Sequence, residues 1–343
     1  MNTTLHSIVD AFTHRHADLR LHCVSIEIEE MPDRIVLKGE VLEQSQLEEL
    51  CTEITAAHPG VVVDAAQVRV LRKPNPVFRY VSTNFTSLHK TPSWLTEMFS
   101  ELFYGTRLEI LKEKEGWAFA RQDDGYLGWV YLAYTSSQPP LAPTHFARRA
   151  LAALHSEPKE DAAICGRLYV GMPVHVAEIR AGWARVAPHP ETQPASLGGG
   201  WVRTEALLAK TELPKNSRQK RERLVEEALR LVGVPYLWGG CTSSGIDCSG
   251  LARLVHRLAG MEIERDADMQ HDSGRPVEFP YQPGDLLFFG ENGEKRVVTH
   301  VAVSQGGWKI VHSSRSRNGV YEDDVQAVEH LKESFLGACT YVE

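Results

Sequence analysis

A cysteine becomes a working nucleophile where its surroundings favour the thiolate and a base stands ready to take its proton. Cys248 lies in Asp247-Cys248-Ser249-Gly250-Leu251, and the apolar positions Leu251, Leu254, Val255 and Leu258 keep helical spacing until Gly260 closes the run. Asp247 is a natural N-cap, so Cys248 falls in the first helical turn. There, unpaired backbone N–H groups and the positive end of the helix dipole predict a lowered thiol pKa. The alternating run Thr299-His300-Val301-Ala302-Val303-Ser304 offers His300 as the base, and His312 follows in the next apolar stretch.

What joins the two histidines is the turn Gln305-Gly306-Gly307. A three-residue loop closes Ser304 against Trp308 and sets His300 directly opposite His312, whereas a two-residue Gly-Gly loop puts them on opposite faces. The catalytic reading selects the three-residue loop, with His312 bonding one ring nitrogen of His300 to fix its tautomer and orientation.

The six cysteines, at 23, 51, 165, 241, 248 and 339, are scattered and form no disulfide framework. Cys241 lacks the close cysteine pairs of a zinc site, and a metal would occupy the nucleophile, so neither metal nor cofactor is expected. Cys23, Cys51, Cys165 and Cys339 read as structural.

The elements that position this chemistry start at a second boundary, Leu213-Pro214-Lys215-Asn216. Ser217 can cap a helix carrying Leu224, Ala228, Leu231 and Val232, with Gly233 past its end. Upstream, residues 77–136 and 145–212 each hold short apolar runs broken by turn signals, the pattern of a small β-barrel. The linker Ser136 to Pro143 separates them, and Lys73-Pro74-Asn75-Pro76 ends an N-terminal α+β unit over residues 1–74. In that unit Ile26, Ile28, Ile35, Leu37 and Val41 alternate like strands around a helical stretch near 47–55.

With 343 residues, 43% hydrophobic and 24% charged, the chain supports several soluble globular units and offers no apolar window long enough to span a bilayer. A net charge of −8 argues against a nucleic-acid grip. Residues 1–20 show no basic start followed by an apolar run, so no secretion signal is expected and the setting is read as cytoplasmic.

Tyr236-x-Trp238-Gly239-Gly240, the Asp247 to Leu251 motif, Gly284-Asp285-Leu286, His300-Val301-Ala302 and His312-Ser313 together resemble the NlpC/p60 papain-like cysteine peptidases, over the whole of residues 216–343. Gly116-Trp117-Ala118 followed by Gly125-Tyr126-Leu127-Gly128-Trp129-Val130 resembles the bacterial SH3 domain, and residues 160–207 repeat the pattern as Gly182-Trp183-Ala184 and Gly200-Trp201-Val202. Residues 20–71 resemble the small BON modules. The fold class implied is multidomain: a papain-like α+β catalytic domain preceded by two SH3-like barrels and an α+β unit.

The combination is similar to the γ-D-glutamyl-L-diamino acid endopeptidases. That resemblance implies attack by Cys248, His300 as base and then acid, His312 orienting it, and Tyr236 with the Cys248 N–H stabilising the oxyanion. It further implies Asp266 and Tyr126 as holders of a free N-terminal amine, with Glu97 as the barrel carboxylate and Glu101, one helical turn on, as its alternative. Trp238 and Ser249 join them as substrate-binding residues. The expected partners are peptidoglycan-derived stem peptides, L-Ala-γ-D-Glu followed by diaminopimelate or lysine, met in cell-wall recycling. The alternative is an exported hydrolase of intact peptidoglycan, its barrels serving as wall-binding modules.

Overall fold

The computed structural model describes residues 2–191, 194–293 and 296–343, and the chain forms two compact units. The first comprises Met1–Arg79 and Arg107–Leu132. Its central strand Arg34–Val41 pairs antiparallel with Val24–Glu30 and parallel with Val62–Val70. The parallel pair needs a crossover, and the helix Gln44–Ala57 supplies it where the sequence places a helix near 47–55. Leu5, Val9 and Phe12 of the helix Asn2–Arg15 close the core with Ile35, Leu37, Leu50 and Ile54. A meander of Arg107–Lys114, Trp117–Gln122 and Leu127–Tyr131 follows. The aromatic residues of its Gly-Trp and Gly-Tyr motifs turn inward, so that Trp117, Phe119 and Trp129 pack with Leu42, Leu71, Leu111 and Leu127.

The second unit comprises Tyr80–Thr106 and Ala133–Glu343. It contains the hairpin Phe85–His89 with Met98–Phe103, and residues 145–209 fold into a three-stranded and a five-stranded antiparallel sheet. Beyond them, helices Ser217–Arg230, Cys248–Leu258 and Ala267–Ser273 pack against a six-stranded antiparallel sheet, on the strand Arg296–Gly306 in particular. One apolar core runs through this unit, from Phe103 and Met172 through Leu254 and Val255 to Phe288, Val301 and Val311. Gly171 shows how closely the parts approach, since a Cβ there would lie 2.2 Å from Leu254 Cδ1. The fully buried Glu227 takes Arg148 at 2.8 Å and Arg223 at 3.2 Å, so its charge is paired on both sides. Among the described residues no helix is long and apolar enough to cross a membrane.

The histidine hairpin departs from the expected register. Ser304 pairs with Ile310, Gly306 pairs with Lys309, and an irregularity between them leaves Gln305 unpaired, so the turn is Gly307-Trp308. The extra residue cancels the change of face that a two-residue loop would impose. With Val303 opposite Val311, His300 and His312 share a face as diagonal neighbours and do not stand directly opposite.

Candidate active site

Asp247 begins the helix Cys248–Leu258, its Oδ1 accepting from the Gly250 N–H at 2.7 Å as the sequence motif predicts. Its Oδ2 accepts from the Gly239 N–H at 2.9 Å, which ties the Trp-Gly-Gly loop to the helix start. Gly250 is sterically required, because a Cβ there would lie 2.2 Å from the Gly240 carbonyl oxygen. The cap is itself gripped by Arg265, whose Nη2 donates to Asp247 Oδ2 at 2.7 Å and Nη1 to Oδ1 at 3.1 Å. Arg265 is only 1% exposed, and its Nε reaches Ser100 Oγ at 3.0 Å. Arg265 is not legible in the sequence, because no periodicity distinguishes a buried arginine from an exposed one.

Cys248 is partly exposed and packs against the apolar core that contains Val301, the neighbour of His300. The helix that begins at Cys248 packs on the strand that carries His300. Burial nonetheless pushes the thiol up to about 12, helped by the Asp247 charge and opposed by the backbone N–H groups of Val301 and Ser249 and by Arg265. The expectation of a lowered pKa is therefore corrected: desolvation outweighs the helix terminus here. Burial likewise pushes His300 down to about 3, with His312 adding to the effect.

His300 Nε2 and His312 Nδ1 lie 2.8 Å apart, so the diagonal register still joins the two rings. His312 is buried and is bonded through Nε2 to Asp323 Oδ2 at 2.9 Å. Arg317 Nη1 grips both Asp323 oxygens, at 2.7 and 2.9 Å. Asp323 was not foreseen, since it stands on the next strand, Gly319–Asp324, and reaches His312 across strands.

The other foreseen residues separate. Tyr236 is partly exposed, and its phenol is pushed up by burial and by the charges of Cys248 and Asp247, which keeps it a hydrogen-bond donor. Trp238 is 56% exposed at the lip of the same loop. Ser249 is buried, its hydroxyl donating to Asp247 at 3.2 Å and accepting from Arg265 at 2.9 Å, so it belongs to the cap network. Asp266 occupies the N-cap position of Ala267–Ser273 with its Oδ1 3.8 Å from Arg265 Nη1. Glu97 is exposed and paired with Lys90 at 3.5 Å, while the alternative Glu101 is buried and accepts from the Cys241 N–H at 2.8 Å. Burial pushes the Glu101 carboxyl up against that bond and others from Thr242. Tyr126 lies in the first unit, buried, with its N–H on Asp124 at 3.1 Å. The six cysteines are all free thiols.

This arrangement can carry acyl transfer: a thiol at a helix start, a histidine on the strand packed against that helix and a hydrogen-bonded chain behind that histidine. Comparison with known proteins agrees. The NlpC/P60 family matches residues 233–338, and the bacterial dipeptidyl-peptidase SH3 domain matches residues 88–133. A γ-D-glutamyl-L-lysine dipeptidyl-peptidase of Bacillus subtilis is 33% identical over 34% of this chain, and the match spans 40% of that protein's length. Dipeptidyl-peptidase 6 of Lysinibacillus sphaericus is 28% identical over 68% of this chain and 86% of its own. The crystal structure of an NlpC/P60 family protein from Bacillus cereus shares the fold, with a TM-score of 0.65 and 18% identity over 78% of this chain and all of the other.

Proposed function

We propose that this chain, a cysteine peptidase of the NlpC/P60 family by the domain it carries, hydrolyses the γ-D-glutamyl to L-diamino acid bond of peptidoglycan-derived stem peptides with a free N-terminal L-alanine. The observation that carries the reading is the packing of the Cys248 helix on the strand that bears His300, whose ring lies 2.8 Å from that of His312. The thiol proton passes to His300 as Sγ bonds to the carbonyl carbon, and the carbonyl π pair becomes an oxyanion facing Tyr236 and the Cys248 N–H. His300 then returns the proton to the leaving amine as the C–N bond breaks. Water, deprotonated by the same histidine, hydrolyses the thioester.

Asp266 is our choice for the residue that meets the substrate ammonium. A desolvated ammonium needs charge-assisted bonds of this kind. Of the two candidate carboxylates on the Met98–Phe103 side, the pairing of Glu97 with Lys90 favours Glu101. The setting we propose is cytoplasmic recycling, with a second SH3-like barrel over residues 145–212. Mass spectrometry of L-Ala-γ-D-Glu-diaminopimelate and its lysine counterpart after incubation with the protein tests the reading. Release of L-Ala-γ-D-Glu, and its loss when the alanine is N-acetylated, is expected. Equal cleavage of the acetylated peptide, or cleavage of intact peptidoglycan alone, overturns it.

A further inference from the structure

The chain behind His300 has a direction, and the direction is set at its far end. Asp323 is 16% exposed and held by Arg317, whose guanidinium also stacks on Tyr321 with 4.2 Å between Cζ and the ring centre. Burial raises the Asp323 carboxyl, but the bonds from His312 and Arg317 outweigh it and hold it below the ordinary aspartate range. It is therefore a carboxylate, which accepts and cannot donate. The His312 nitrogen it faces, Nε2, must carry the proton. Burial holds the His312 ring neutral, opposed by its bond to Asp323, so its Nδ1 is a lone pair. That lone pair faces His300 Nε2 at 2.8 Å, and His300 must then be the donor in that bond. A neutral His300 with its proton on Nε2 leaves Nδ1 as its basic atom.

We propose that Asp323, clamped by Arg317, is a positioning residue that sets the tautomers of both histidines and so makes His300 Nδ1 the atom that takes the Cys248 proton. The proposal rests on the peptidase reading above. In the attacking step the proton moves from Sγ to Nδ1, the S–C bond forms and the carbonyl π pair moves to oxygen. The resulting imidazolium keeps its Nε2–H on His312, whose own N–H stays on the Asp323 carboxylate. The charge on His300 is thus stabilised through two fixed bonds without a second proton transfer. Besides Asp323 and Arg317, the titratable group that bears on both rings is His330, from the helix Glu329–Ser334.

Side-chain nitrogen NMR of the whole, 15N-labelled protein at pH 7.5, with His300 and His312 assigned by single substitution, reads the tautomers independently of activity. Both rings should carry the proton on Nε2. Asp323→Leu should scramble the His312 tautomer and lower kcat about 10- to 100-fold with KM changed less than about threefold, the signature of a lost transition-state interaction. Asp323→Asn can still present an oxygen, and should restore the tautomer and part of kcat. Arg317→Gln, which keeps Asp323 in place, should cost about three- to tenfold and serves if Asp323→Leu fails to fold. A proton on Nδ1 of either ring in the wild type overturns the proposal, as does a folded Asp323→Leu protein with wild-type kcat. Turnover by Cys248→Ala would instead sink the peptidase reading and leave the tautomer result standing.

Discussion

On the nucleophile side of the site, Asp247 and Arg265 are sealed from water, and they hold the start of the Cys248 helix through a cap and a buried ion pair. On the base side the chain of His300, His312, Asp323 and Arg317 climbs outward until Arg317 is 48% exposed. The same task, holding one side chain still, is thus done by two kinds of force. A buried ion pair is costly to break because either charge alone is left desolvated. A half-exposed hydrogen-bond chain contributes little to stability, since water replaces its outer members. Damage to the first should appear as lost folding, and damage to the second as lost rate.

The largest effect falls where the two sides meet. Cys248→Ala should lower kcat on the order of a thousandfold or more with its unfolding midpoint nearly unchanged, and steady-state kinetics beside a denaturation curve checks both. His300→Ala should be comparably severe, while retention of a tenth of wild-type kcat in either variant contradicts the assignment. Arg265→Met tests the nucleophile side: it strands the buried Asp247 carboxylate, so unfolding free energy should fall by about 3 to 5 kcal/mol, read by denaturant titration. A loss under about 1 kcal/mol would mean that the cap does not depend on the pair.

The resting protonation of Cys248 separates the sides further. With burial pushing the thiol up to about 12, alkylation of Cys248 by iodoacetamide, followed by peptide mass mapping, should be slow at neutral pH and rise steadily into the alkaline range. A rate already level below pH 6 would mark a resting thiolate and ion pair. His312→Asn, in which an amide can still accept from His300, should cost roughly tenfold in kcat and little stability.

The smallest effect is on acid stability, away from the chemistry. His256 is buried on the nucleophile helix, its Nδ1 on the Ala252 carbonyl at 2.7 Å, and burial pushes it down to about 4. In the unfolded chain an imidazole takes its proton near pH 6.5, so the unfolded state gains protons first. The stability His256 contributes is whole above about pH 6.5 and is lost as pH falls towards 4. Removing it with His256→Leu should reduce the loss of unfolding free energy between pH 7.5 and 5 by roughly 2 kcal/mol. An unchanged pH slope contradicts this.

The nucleophile side was the more legible in the sequence because its signals are local. A cap residue and a helical spacing lie within one dozen residues, and Asp247, Cys248 and Gly250 sit as the motif implies. What escaped there was tertiary: Arg265 arrives from a later loop, and the desolvation that raises the thiol cannot be seen in a helical pattern. On the base side His300 and His312 were legible as alternating strand residues, but their register was not, because the bulge at Gln305 hides in an ordinary Gln-Gly-Gly turn. Asp323 lies among carboxylates and basic residues that read as a solvated strand. Glu97 and Glu101 differ in the sequence only by four positions, yet one meets Lys90 at the surface and the other is buried against Cys241.

Whether the two sides converge on one covalent step is tested most directly by trapping the intermediate. The protein is mixed with L-Ala-γ-D-Glu-diaminopimelate, quenched in acid within milliseconds to seconds, and analysed by intact mass and peptide mapping. A thioester of the L-Ala-γ-D-Glu acyl group on Cys248, absent in Cys248→Ala, is the expected result. Turnover without any adduct in the Cys248→Ala protein, or an acyl group carried by another residue, would contradict the account.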